Sequence, residues 1–233
     1  MPATERIAPQ SAQTRQRLLA AGVRLFAEHG YRGVSVRELS AAAGANVAAV
    51  SYHFGSKRGL YHAIFESALD ADEARFREAM DALHALVRQA GGEPARLAAP
   101  VQLFVHSLLG RLTGDEHSRG LTVLVIREMA FPSEAFDLIY ARRAAPLLGA
   151  MLAILAALGE DAASEAARIR AQALTGMVAE LAIARAVLWR HLAWDGYTAA
   201  RVARVSAIVT ELVSRAIGIA PAPAPAAPEN AHA

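Results

Sequence analysis

Three features of this 233-residue sequence predict an all-α chain in two parts, a small basic head followed by a larger helical body. Apolar residues recur at three- and four-residue spacing with few alternating runs, which is the period of helices and not of strands. Capping residues and Gly or Pro breaks divide these runs into helical lengths. Charge is uneven: residues 1–60 carry eight Lys/Arg against three Asp/Glu, a balance of +5, and residues 61–233 carry 16 against 19, or −3. That asymmetry is the footprint of a nucleic-acid-binding module, although a basic patch alone also suits a membrane or an acidic partner.

Residues 1–11 read as a flexible arm without the apolar core of a signal peptide. A first helix follows, with Leu18, Ala21, Leu25 and Phe26 along it. Ser35 and Glu38 have the spacing of a capping box, in which each side chain satisfies an orphan amide, so a second helix starts at Ser35. Leu39 and Ala42 fall on one side of it, Gly44 supplies a tight turn, and Asn46 caps a third helix that carries Val47 to Tyr52. Two helices joined through a short Gly-containing turn make a helix-turn-helix. The third helix has Val50 for the core and the small residues Ala48 and Ala49 opposite, which allows close approach to a major groove. An Ala-rich helical hairpin with no DNA role has the same local pattern.

The ordered set around this hairpin resembles the DNA-binding domain of the TetR family of bacterial transcriptional repressors over residues 12–65. Thr14, Arg15 and Leu18 open the first helix, Ala21, Leu25, Phe26 and Glu28 lie along it, and Gly30-Tyr31 end it. The box at Ser35, Ala43-Gly44 at the turn, and the run from Tyr52 to Lys57 before a fourth helix at Leu60 complete the match. With groove geometry, the resemblance implies base-edge contacts for Val47, Ala48 and Tyr52, with Asn46 and Ala49 beside them in the reading helix. Ser35, Arg37, Ser51, His53 and Lys57 are implied phosphate contacts; a packed or capping role is the equal alternative for His53. Two positions depart from the family pattern. Ser51 stands where tyrosine is common, so that phosphate contact passes to Tyr52 or is lost. Arg58 replaces a common acidic residue, which removes a favourable first-turn carboxylate but adds positive charge.

The head is expected over 12–62, the body over 63–218 and an extended Ala/Pro tail over 219–233. A connecting helix is predicted from residue 56 to about 90, with further helices near 95–113, 117–130, 133–158, 163–192 and 198–218, and breaks at Gly114, Phe131-Pro132, Gly159 and Asp195-Gly196. The last two helices carry more apolar residues than one buried stripe needs, among them Val178, Leu181, Val187, Val205, Ile208, Val209 and Leu212. Part of that surface is expected to face a second copy, because a reader of palindromic half-sites needs two-fold symmetry. The segment 121–147 and the later run from Trp189 resemble the C-terminal domain of a TetR subset. If the resemblance extends to an effector pocket, Phe104, Arg127, Phe131, Tyr140 and Trp189 are its candidate lining, with helix packing or a buried ion pair as the alternative for each. Arg127 and Glu128 sit in an apolar helix and need partners if buried.

Enzymatic motifs are missing: the sequence has no HExxH, GxSxG or phosphate loop, and its eight His are dispersed. Without Cys, disulfides, Cys-based zinc sites and thiol redox sensing are excluded, and no cofactor or metal is implied. No apolar stretch runs uninterrupted for the roughly 20 residues of a membrane span. The expected protein is a cytoplasmic homodimeric repressor that binds a palindromic DNA operator and is released by a small-molecule effector. A TetR-like activator, or a helical partner-binding protein without DNA function, is the alternative.

Overall fold

The computed structural model describes residues 4–110 and 116–220, and all regular elements among them are helical. They are α1 (Thr4–His29), α2 (Val36–Ala42), α3 (Ala48–Phe54), α4 (Lys57–Ala90), a 3-10 turn (Pro94–Leu97), α5 (Ala98–Leu109), α6 (Glu116–Ala130), α7 (Glu134–Ile139), a π-type turn (Tyr140–Ala144), α8 (Ala145–Ala157), α9 (Glu165–Ile183), α10 (Arg185–His191) and α11 (Ala199–Ala216). The chain divides into two compact units, residues 1–74 with 114–143 and residues 75–113 with 144–233. The expected contiguous division at residue 62 is therefore corrected. The start of α4 and all of α6 and α7 belong with the head.

In the first unit, Leu18 and Phe26 of α1, Leu39 of α2, Val50 of α3, and Leu60 and Ile64 of α4 form one core with Leu124 and Ile139. The last two were expected in the body. Leu124 reaches this core because α6 lies against α1 at close range, where a side chain on Gly120 would come within 2.8 Å of Val23, and Ile139 follows on α7, which packs on α6. The expected flexible arm also changes: α1 begins at Thr4, so residues 4–11 are helical, and residues 1–3 lie outside the described residues. Extending an established helix fixes one residue per hydrogen bond gained, which is far easier than nucleating one.

The helix predicted over 133–158 is interrupted by the wide turn at Tyr140–Ala144. Pro146 has no amide to offer the carbonyl of Arg142, and the Arg143 guanidinium donates to that carbonyl instead at 2.8 Å. Arg143 also donates to Leu69 O at 2.8 Å and to Glu73 at 3.0 Å, and Arg142 donates to Asp70 and Glu73, each at 2.8 Å. The hydrogen bond to Glu73, and then that to Asp70, raises the Arg142 pKa further. The run Ala135–Ala157 is long and apolar enough to cross a membrane by length and composition. Its arginines, however, are bound to α4 carboxylates, and Met151, Ile154 and Leu155 are fully buried in protein core.

The second unit is built around α5, whose Val101, Phe104 and Val105 are fully buried and which packs on α8, α9 and α11. The helix predicted over 163–192 breaks at Ala184 into α9 and α10. At the break, the Leu181 carbonyl accepts the Tyr197 hydroxyl at 2.8 Å in place of the next helical amide. Leu174, Val178, Val205 and Val209 face the core, whereas Val187 of α10 and Ile208 and Leu212 of α11 are exposed. Ile219, expected as the first residue of the tail, is instead buried, and its amide donates to Ser214 O at 3.0 Å. Residues 221–233 and the break expected at Gly114 lie outside the described residues.

Candidate nucleic-acid interface

The local signals around α2 are met atom by atom. The Ser35 Oγ accepts the Glu38 amide at 3.2 Å, while the Ser35 amide and hydroxyl both donate to Glu38 Oε2 at 2.7 Å. The backbone bond first, and then the hydroxyl, hold the Glu38 carboxyl below its ordinary range. At the turn Gly44 has φ +58°, a conformation that costs glycine little, and the Ala45 amide donates to Ser40 O. Asn46 then caps α3 as its sequence position suggests, its Oδ1 accepting the Ala48 amide at 2.9 Å.

An isolated seven-residue helix is marginal in water, so packing must hold α3 in place. Val50, fully buried, is its anchor, with Ala49 and Phe54 half-buried beside it against the head core. Ala49 thus turns inward, a correction to its expected place on the reading face: helical spacing puts residues 49, 50, 53 and 54 on one side. His53 is half-buried between the rings of Tyr52 and Phe54, with ring centroids at 4.9 and 6.0 Å. The opposite side presents Val47, Ala48, Ser51 and Tyr52, all exposed, with Tyr52 at 80%. Arg37 is exposed on α2.

Two expected phosphate ligands have other engagements. The Lys57 ammonium donates to Tyr31 O at 2.9 Å and to Val34 O at 2.8 Å, and stands 4.3 Å from the centre of the Tyr31 ring. It ties the start of α4 to the loop between α1 and α2, because a lysine beside unpaired loop carbonyls is worth more there than in water. Ser35 has both its hydroxyl proton and its acceptor in the capping box. Arg15, which the sequence placed only in α1, lies 5.3 Å from the centre of the Phe54 ring and covers the end of α3.

The five candidate pocket residues are divided between the two units. Phe104 is fully buried in the core of the second unit, and Trp189 also belongs to that unit, edge-on to Tyr197 at 5.4 Å. Arg127, Phe131 and Tyr140 belong to the first unit, where Phe131 is 82% exposed and Tyr140 stacks on Phe136. Nor do Arg127 and Glu128 pair: Arg127 is exposed, and buried Glu128 accepts the Tyr61 hydroxyl at 2.7 Å and the Ser133 amide at 3.0 Å. Burial, and then the bond to Glu128, push the Tyr61 phenol well above its ordinary range. Adjacent residues on a helix point about 100° apart, so only one of the two could face the core.

A capped helix-turn-helix with a small-residue and tyrosine face turned outward, in a basic head, defines a DNA-binding transcription regulator. Residues 18–64 match bacterial regulatory proteins of the tetR family, and residues 97–219 match the C-terminal domain of the HTH-type transcriptional dual regulator CecR. The chain belongs to the TetR family of transcriptional regulators, with a C-terminal domain of the CecR type, and is not an enzyme. It is 26% identical over 199 residues to CecR of Shigella flexneri, covering 85% of this chain and 88% of that protein. It is 42% identical over 65 residues to the repressor AcnR of Corynebacterium glutamicum, covering 28% of this chain and 32% of that protein. Among solved structures, a SmeT-triclosan complex superposes with a TM-score of 0.53 at 20% identity, over 91% of this chain and 99% of that one, a likeness of fold.

Proposed function

We propose that the protein is a cytoplasmic homodimer that represses transcription by laying the exposed side of α3 in successive major grooves of a palindromic operator. The observation that carries this reading is the two-sidedness of α3: Val50 fully buried, Tyr52 80% exposed. Val47 and Ala48 suit thymine methyl groups, and Tyr52 reaches further along the base edges. Asn46 acts as the cap that sets the helix in place. Ser51 and Arg37 take phosphates, with half-buried His53 adding a ring nitrogen at the edge of the same surface. Ser35 and Lys57 support this surface from within it, through the bonds they already make. The exposed Val187, Ile208 and Leu212 form the self-association surface.

Release by a small molecule completes the proposal, and the triclosan bound to a protein of the same fold supports it. Such a molecule shifts the equilibrium only by its difference in affinity between DNA-bound and free conformations. A second reading, activation, is favoured by one observation: the relative similar over most of the chain is described as a dual regulator. The AcnR match that supports repression is confined to the head. Fluorescence anisotropy with the intergenic DNA upstream of the gene tests the core of the proposal. Saturable binding that survives competition by random duplex at moderate salt is expected, and the absence of a specific shift would defeat it. A promoter-fusion reporter in a deletion strain then separates the two readings, rising for a repressor and falling for an activator.

A further inference from the structure

A cleft of about 660 Å³ opens in the first unit, between the end of α1, the start of α4 and the end of α6. Its floor is chemically closed. Glu128 is 3% exposed, and both of its oxygens accept hydrogen bonds, Oε1 from Tyr61 at 2.7 Å and Ser133 Oγ at 2.9 Å, Oε2 from the Ser133 amide at 3.0 Å. Its negative charge is thus stabilised internally, and both of its oxygens are already engaged as acceptors rather than open to a basic ligand.

The rim is the reverse. Arg127 is exposed, and its guanidinium makes one long hydrogen bond, 3.4 Å to Ala27 O. It occupies the space left by Gly30, where a Cβ would stand 2.8 Å from Nη1. Arg32, also on the rim, is exposed and makes no ion pair with any described residue. In the same lining, Phe131 is 82% exposed and Tyr31 half-buried. A phenylalanine left so open beside a concave surface is an apolar group without a partner, and a guanidinium recognises a carboxylate through two parallel hydrogen bonds. The volume lies within the range of small-molecule sites, which combine apolar walls with a few convergent polar groups.

We infer that this cleft binds a small aromatic carboxylate, its ring against Phe131 and Tyr31 and its acid group on Arg127 and Arg32. The inference deepens the ligand-responsive part of the proposed function and rests on it only for the consequence of binding. That consequence follows from Tyr31, the residue whose ring and carbonyl hold the Lys57 ammonium directly after the reading helix. A ligand against this ring touches the support of α3 without leaving the unit that contains it.

The test uses the full chain and two probes, 1-naphthoate and its neutral counterpart 1-naphthamide, in isothermal titration calorimetry. Saturable binding of one naphthoate per chain is expected, at least tenfold tighter than naphthamide and weakened at least tenfold by Arg127→Gln and by Phe131→Ala. Both substitutions are at exposed side chains, and an unchanged thermal melt confirms that the variants fold. Equal affinity for acid and amide, no saturation at millimolar naphthoate, or full affinity in Arg127→Gln would each overturn the site. So would a loss of operator affinity in probe-free Arg127→Gln, which would assign the guanidinium to a DNA phosphate. Naphthoate that binds as expected but leaves operator affinity unchanged keeps the site and defeats its coupling to DNA. An unrelated compound that releases operator equally from wild type and Arg127→Gln supports ligand response while placing that effector elsewhere.

Discussion

Two faces of this molecule leave side chains uncovered, and they differ in kind. The outer side of α3 offers Val47, Ala48, Ser51 and Tyr52, a low relief with one polar-tipped ring. The outer side of α10 and α11 offers Val187, Ile208 and Leu212, aliphatic groups with nothing to donate or accept. Base edges and phosphates reward the first composition, because every buried polar group there finds a partner on the duplex. Only another apolar surface rewards the second. Exposure alone therefore says little about a partner; the polarity of what is exposed distinguishes them.

The largest effect should come from breaking the aliphatic face. Replacing Ile208 and Leu212 together by Glu is expected to give a folded monomer by sedimentation. Operator affinity should fall by roughly 10²–10⁴-fold, the gain that linking two binding heads ordinarily supplies. A dimer that persists in this variant would remove α11 from the interface. Next is the anchor behind the reading face. Val50→Ala should cost about 2 kcal/mol of head stability, read as a lower melting temperature, while the second unit is unaffected in hydrogen exchange.

Tyr52→Ala acts on the reading face itself. A loss of about 1–3 kcal/mol in specific operator binding is expected, with binding to random duplex nearly unchanged in a parallel anisotropy titration. Equal losses on both duplexes would make Tyr52 a phosphate contact beside Ser51.

The smallest effect concerns the cap beneath the face. Hydrogen bonds from Ser35 depress the Glu38 pKa from its ordinary 4.5, so their stabilisation is present above that value and is lost as pH falls through the folded pKa. Ser35→Ala should therefore lower the melting temperature slightly at pH 7, and the difference from wild type should shrink below pH 4.5. A difference that stays constant down to the acid limit would show that the Ser35 hydroxyl does not act through the Glu38 charge.

Legibility in the sequence followed the range of the forces. The Ser35–Glu38 box, the Gly44 turn and the Asn46 cap join residues two to five apart, and their residue types and spacing were sufficient to place α2 and α3. Lys57 shows the limit. Its position in the motif was plain, but its bonds to carbonyls 26 and 23 residues away, which tie the head together, were not. The pocket residues show the same limit, since five suitable side chains spread from 104 to 189 carry no sign in the sequence of which share a compact unit.

By itself, then, the sequence determined the helical class, the helix-turn-helix and, Ala49 excepted, its outward residues, because capping, turn conformation and the 3.6-residue period act within a few positions of the chain. Tertiary structure alone decided that α6 joins the head through Gly120 and Val23, that Glu128 goes inward to Tyr61, and that Arg127 remains on the rim of a cleft. Those outcomes depend on which helix faces come together, and burial, which sets whether a charge is paired or left to water, exists only after they have met.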